Sequence, residues 1–103
     1  MIAREWRGRV RTEQAEEYVA YIWATGAGEY LRTPGNLHAW VLSRDAGDGT
    51  AEVVAFSLWD SIADVRRFAG DDENEMVLYP EDREFLLDEP TLRHYEVHGP
   101  EAG

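Results

Sequence analysis

The sequence contains no cysteine and no lysine. Without a thiol there is no disulfide, no thiolate nucleophile, no Cys-based zinc site and no iron–sulfur cluster. Without a lysine there is neither a Schiff-base amine nor the lysine of a phosphate-binding loop. Positive charge is also scarce, and the formal net charge is -11. Nucleic acid and anionic membrane surfaces are captured by clustered positive charge, so neither is an expected partner. No apolar run approaches the roughly 20 residues of a membrane-spanning helix, and no signal-peptide core opens the sequence. The expected location is cytoplasmic. A Ser/His/Asp arrangement, a phosphate-cradling glycine loop and a dinucleotide fingerprint are likewise missing, which removes hydrolase and nicotinamide readings.

What is present is one domain's length of chain, residues 1–103, with four Trp and five Tyr. Arg4, Arg7, Arg9 and Arg11 gather at the start, and acids crowd residues 71–89 as a solvated acidic surface. Residues 2–11 alternate, with Ile2, Arg4, Trp6, Gly8 and Val10 on one face of a first strand. Thr12 as N-cap, then Ala15, Tyr18, Val19, Ile22 and Trp23 at helical spacing, predict a helix to about Ala24. Gly26 and Gly28 interrupt it, and residues 27–32 add a turn carrying Tyr30 and Leu31 towards the core. Thr33-Pro34-Gly35-Asn36 is a turn. A second strand over 37–44 places His38, Trp40, Leu42 and Arg44 opposite Leu37, Ala39, Val41 and Ser43. A loop at 45–49 closes a hairpin to a third strand over 51–59, which is apolar on both faces. Ser61 caps a second helix with stripe Ile62, Val65, Phe68 and Ala69, ended by Gly70. A loop at 71–75, a helical turn at 76–79, a short helix within 80–87, a fourth strand over 91–98 and a flexible tail at 99–103 complete the order.

The order β-α-β-β-α-β is the ferredoxin-like α+β arrangement, with a four-stranded antiparallel sheet. Two helices cover one face of such a sheet, so a third strand apolar on both sides calls for a partner on the other face. The simplest partner is a second copy, giving a homodimer.

In the segments Ala3-Arg4-Glu5-Trp6-Arg7-Gly8-Arg9, Thr33-Pro34-Gly35-Asn36, Ser57-Leu58-Trp59-Asp60-Ser61, Phe68-Ala69-Gly70, Tyr79-Pro80-Glu81-Asp82 and His94-Tyr95-Glu96-Val97, the chain resembles the antibiotic biosynthesis monooxygenase-like family of dimeric α/β barrels. The resemblance spans nearly the whole chain. It implies face-to-face packing of two ferredoxin-like sheets and a pocket between each subunit's helices and its own sheet. It also implies a cofactor-independent oxidation of an aromatic or polycyclic small molecule by molecular oxygen, without metal or flavin. The oxygenating members carry a Trp where Trp59 stands, an Asn where Ala55 stands and a Tyr where Val65 stands. The haem-degrading members carry an Asn, a Trp and a His near Trp6 or Arg7, at Phe68, and near Leu78 or Tyr79.

Among residues able to carry chemistry, His94 and His98 share a face of the fourth strand but lie roughly 13 Å apart along an extended chain, too far to chelate one metal. No metal site is expected. If the His38 face looks towards the helices, His38 and Trp40 line a pocket with Trp59, Tyr79 and a strand-four residue such as His94. His38 is then the candidate base for a phenolic proton and Trp59 the second candidate catalytic residue, each set against a purely structural role. Trp40, Tyr79, His94 and Arg4 are the candidate substrate contacts. Arg4, on an otherwise apolar face, needs a carboxylate or carbonyl, and either recognises an anionic group or bridges to the acidic segment of a second subunit. Trp6 and Trp23 are expected in the core or at the dimer contact. Three readings stay open: an oxygenase-like enzyme, a ligand-binding or stress-related dimer without turnover, and an isomerase or cyclase on the same barrel.

Overall fold

The computed structural model describes residues 1–99. The expected fraying of the tail lies, from residue 100 on, outside the described residues. Strand β1 (Ile2–Arg11) leads through a 3-10 turn (Thr12–Gln14) into α1 (Ala15–Ala24) and α2 (Gly26–Arg32). Strands β2 (Asn36–Asp45) and β3 (Thr50–Trp59) form the hairpin, α3 (Ile62–Ala69) follows, and a largely irregular stretch carries the one-turn α4 (Asp82–Phe85) before β4 (Thr91–Glu96). The sheet order is β2-β3-β1-β4 and every neighbouring pair is antiparallel. This is the split βαβ topology that the alternating patterns predict, and it puts β1 and β3 in the middle of the sheet.

Register decides which side chains share a face. Arg4, Trp6, Gly8 and Val10 stand opposite Ser57, Ala55, Val53 and Ala51. Ala39 and Val41 extend that row on β2, and His94 and Leu92 extend it on β4. The helices cover this side, burying Trp6, Val10, Val53, Ala55 and Trp59 against Tyr18, Ile22, Ala27, Tyr30 and Val65. On the reverse side, His38, Trp40 and Leu42 pair with Leu58, Phe56 and Val54. No helix lies over these.

Local chemistry sets the joints. Ser61 caps α3, its Oγ accepting from the Asp64 amide and donating to Asp64 Oδ2. Gly35 takes φ +92, and a Cβ there would meet the Asp64 carboxylate, so the turn into β2 demands glycine. Gly8, in mid-sheet, lets Leu86 settle onto the strand, where a Cβ would stand 2.6 Å from the Leu86 side chain.

Several expectations need correction. Thr12 opens the 3-10 turn and caps no α-helix; α1 begins after Gln14, which makes no side-chain cap. Tyr30 is buried as expected, but Leu31 is 58% exposed because it follows Tyr30 round to the outer side of a short helix. Trp23 lies exposed on α1 outside the core. Residues 76–79 form no helical turn, β4 stops at Glu96, and His98 therefore lies beyond the strand. Among the described residues, no helix is long and apolar enough to cross a membrane.

Candidate functional site

The helices stand off the sheet at one place. There the sheet contributes Arg4, Trp6 and Ala55, the α1–α2 junction contributes Ile22, Thr25, Gly26, Ala27 and Tyr30, and α3 contributes Phe68. Val77, Tyr79 and Asp82 of the irregular stretch close the third side. Counting its open mouth, the cleft encloses about 360 Å³. That figure includes open solvent, so the closed cleft is smaller than the ~300–1,000 Å³ of a formed small-molecule site. Its interior leaves only about 30 Å³ for water, enough for roughly two molecules.

The polar groups here form two clusters. Arg4 is 1% exposed. Its Nη1 donates to the Glu73 carbonyl at 2.9 Å and lies 3.0 Å from His94 Nε2, the residue directly across β4. A guanidinium has no lone pair to offer, so His94 Nε2 is the acceptor and Nδ1 carries the ring proton. Desolvation, reinforced by the neighbouring Arg4 charge, lowers the His94 pKa and keeps the ring neutral. The guanidinium also lies over the Phe68 ring, 5.4 Å from its centroid. Arg4 Nε, Trp6 Nε1 and His94 Nδ1 are buried with no hydrogen-bond partner.

In the second cluster, buried Asp82 accepts from the Tyr18 hydroxyl at 2.7 Å and from the Tyr79 amide at 2.6 Å. The amide contact closes the turn that precedes α4, whose N-cap residue Glu81 makes no side-chain cap. Tyr21 Oη accepts from the neighbouring Glu81 amide. Burial, reinforced by the Glu29 charge, pushes the Tyr79 phenol up to about 12. Burial likewise raises Tyr30, against the opposing pull of Arg4 and Ser57 beside it. Both phenols are protonated donors at neutral pH.

Trp59 lies behind this wall. It is fully buried, donates its Nε1 proton to Ser57 Oγ at 2.9 Å, and meets the edge of Tyr30 at a centroid distance of 5.7 Å. It supports Tyr30 and Phe68 without lining the cleft.

Four of the six candidate site residues therefore lie on the helix side: Arg4 and Tyr79 line the cleft, His94 stands against Arg4 outside the lining, and Trp59 lies behind the cleft. His38 and Trp40 do not join them. Asn36 and His38 flank a register irregularity in β2, and beyond it His38 and Trp40 point away from the helices, their rings stacked at 5.3 Å beside Phe56 on the bare face. Grouping His38 and Trp40 with Tyr79 in one pocket is corrected by this register. Arg4 meets the acidic segment within its own chain, through a carbonyl and not through a carboxylate. Sequence reasoning missed Tyr30 as a wall residue and Asp82 as a buried anchor. Tyr30 read as core, and Asp82 was lost among the surface acids. Among the described residues, no cluster of His, Asp or Glu is arranged to hold a metal ion.

No family model matches the chain, and no curated protein matches it. Solved structures do. A putative antibiotic biosynthesis monooxygenase from Bacillus cereus superposes with a TM-score of 0.71 at 18% identity, covering 99% of this chain and 97% of that one. A monooxygenase of Streptomyces coelicolor in complex with nanaomycin D gives 0.61 at 22% identity, covering 96% and 88%. SnoaB, a cofactor-independent oxygenase from Streptomyces nogalater in its N63A form, gives 0.62 at 16% identity, covering 99% and 97%. The described residues thus have the ferredoxin-like α+β fold that these antibiotic biosynthesis monooxygenase-like structures share.

Proposed function

We propose that the chain is an oxygenase-like enzyme that takes a planar aromatic or polycyclic small molecule into the helix-side cleft and oxidises it with molecular oxygen, without a cofactor. The carrying observation is the cleft itself: an aromatic enclosure of Trp6, Tyr30, Phe68 and Tyr79 with the buried Arg4 at its floor. Support also comes from the fold, since its solved examples include proteins named as monooxygenases, one of them cofactor-independent. The reaction balances within the substrate: an activated ring methylene gives up two hydrogens and takes one oxygen atom, while the second oxygen atom leaves as water. Deprotonation supplies the electron-rich anion that oxygen oxidises, and the phenols of Tyr30 and Tyr79 donate hydrogen bonds to the oxygen that carries the negative charge.

The bare sheet face fits the second copy that the third strand calls for. Trp40, Leu42 and Tyr95 are exposed there, and a two-fold pairing sets each apolar patch against its own image. In this proposal the protein acts as a homodimer in the cytoplasm.

Oxygen uptake with a hydroxylated anthrone, followed by mass spectrometry of the quinone, tests the reading. The wild type and His38→Ala are expected to turn over alike, because His38 faces away from the cleft, and Tyr79→Phe is expected to slow turnover. No uptake by any of the three defeats the enzyme reading. A second reading, binding without turnover, is favoured by one feature: Asp82 already accepts a hydrogen bond on each carboxylate oxygen and His94 one on Nε2, so both candidate bases are engaged within the protein. Saturable binding of the anthrone without oxygen uptake would select it.

A further inference from the structure

We propose that the cleft is an anion site, binding its planar ligand through a negatively charged oxygen, a carboxylate or a phenolate, held by Arg4. The inference rests on the reading of the cleft as a small-molecule site and adds the charge that the ligand carries.

A buried guanidinium ordinarily has a carboxylate beside it, because an isolated buried charge is costly. Arg4 has none: among the described residues, eight ion pairs involve Arg7, Arg9, Arg32, Arg44, Arg66, Arg67 and Arg83, and none involves Arg4. The nearby acids are committed elsewhere. The Glu73 carboxylate takes both Nε and Nη2 of Arg66, at 3.0 and 2.8 Å, and shows Arg4 only its backbone carbonyl. Asp82, across the cleft, is occupied by Tyr18 and Tyr79. His94, which accepts from Arg4, and the Tyr30 phenol beside it are both neutral and do not balance its charge.

The donors left over point the same way. Among the described residues, Arg4 Nε and Trp6 Nε1 are buried N–H groups without an acceptor, and both residues line this cleft. Phe68 under the guanidinium and Tyr30 and Tyr79 at the walls give flat contacts for a ring attached to the anionic group. A ligand oxygen bearing negative charge satisfies the cation and the orphan donors together, at a depth where salt screens little. The chain as a whole carries -11 and repels anions, so an anion preference can only come from such a local arrangement.

Calorimetric titration of the intact chain with 2-naphthoate, 2-naphthol and the neutral 2-naphthalenemethanol tests this. In the wild type 2-naphthoate, or 2-naphthol with release of a proton to the buffer, is expected to bind at least about tenfold tighter than 2-naphthalenemethanol. The first result assigns a carboxylate and the second a phenolate. Arg4→Met is expected to bring the anion and alcohol to within about twofold of each other while its melting temperature holds or rises, since an unbalanced buried charge is removed. Arg4→Lys keeps the sign of the charge and is expected to keep the preference at lower affinity. Equal binding of all three compounds by the wild type, or an unchanged preference in Arg4→Met, overturns the anion site and leaves the small-molecule cleft standing. No binding of any compound overturns both.

Discussion

The two faces of the sheet use the same alternating strands to opposite ends. On the helix face the apolar side chains are sealed against Tyr18, Ile22, Tyr30 and Val65, and what is left unsatisfied is polar: Arg4 Nε, Trp6 Nε1 and His94 Nδ1 all lie on this side. On the bare face Arg7 and Arg44 are both held by Glu52, and large apolar side chains are left exposed, Trp40 and Leu42 above all. A surface short of hydrogen-bond partners suits a polar ligand, and a surface short of packing suits another apolar surface. The contrast puts the proposed ligand site and the proposed assembly site on opposite faces of one sheet.

The largest test of that contrast compares two tryptophans. Trp59→Ala is expected to lose about 4 kcal/mol of unfolding free energy, because it empties a sealed site. Trp40→Ala is expected to lose about 1 kcal/mol at protein concentrations where the chain is monomeric, since Trp40 is 42% exposed and its ring packs on His38 and Phe56. Urea denaturation of both checks this, and equal losses would erase the distinction. Asp82→Ala follows at about 3 kcal/mol, from a buried tyrosine hydroxyl and an amide left without an acceptor. A loss below about 1 kcal/mol in the same titration would show that water replaces the carboxylate.

On the bare face, Trp40→Arg places a charge on the patch twice in a two-fold dimer. It is expected to raise the dissociation constant by about a hundredfold or more, with the fold retained. Light scattering at micromolar concentration reads the mass; a wild type that is already monomeric sinks the homodimer. The smallest effect concerns pH. The His94 pKa is lowered in the folded chain, so its contribution to stability is complete above the usual histidine value and is lost as pH falls through the folded value. Melting temperatures at pH 7 and pH 5 are expected to differ less in His94→Gln than in the wild type. An identical pH dependence in both proteins would remove His94 as a titrating group of the folded state.

The fold was legible because period-two patterns report faces directly. Ile2, Trp6 and Val10 on one side of β1, and the double-sided apolarity of β3, contain the sheet order in outline. The direction of β2 was not legible. Alternation states that His38 and Trp40 share a side without stating which side the helices take, and the irregularity between Asn36 and His38 breaks the count from the turn. The cleft was half visible. Arg4 announced itself as a charge on an apolar face, whereas Tyr30 and Asp82 acquire their positions from tertiary contacts to Trp59, Tyr18 and Tyr79 that no local spacing encodes. Residues 76–79 and 80–87 carry helix-compatible composition, yet the chain there is drawn across the cleft by Asp82, and by Leu86 on Gly8, and only one turn of helix forms.

The narrowness of the cleft bears on time as well as on shape. For the proposed ring-system ligand, a space that leaves room for about two waters has to widen first, and the contacts that would give way are those of the stretch between α3 and β4, such as Arg4 to Glu73 and Asp82 to Tyr18. Association then levels off with rising ligand concentration at the opening rate of that stretch, and falls short of the encounter rate. Two ligands of equal affinity but different bulk would share that ceiling and be told apart by how fast they leave.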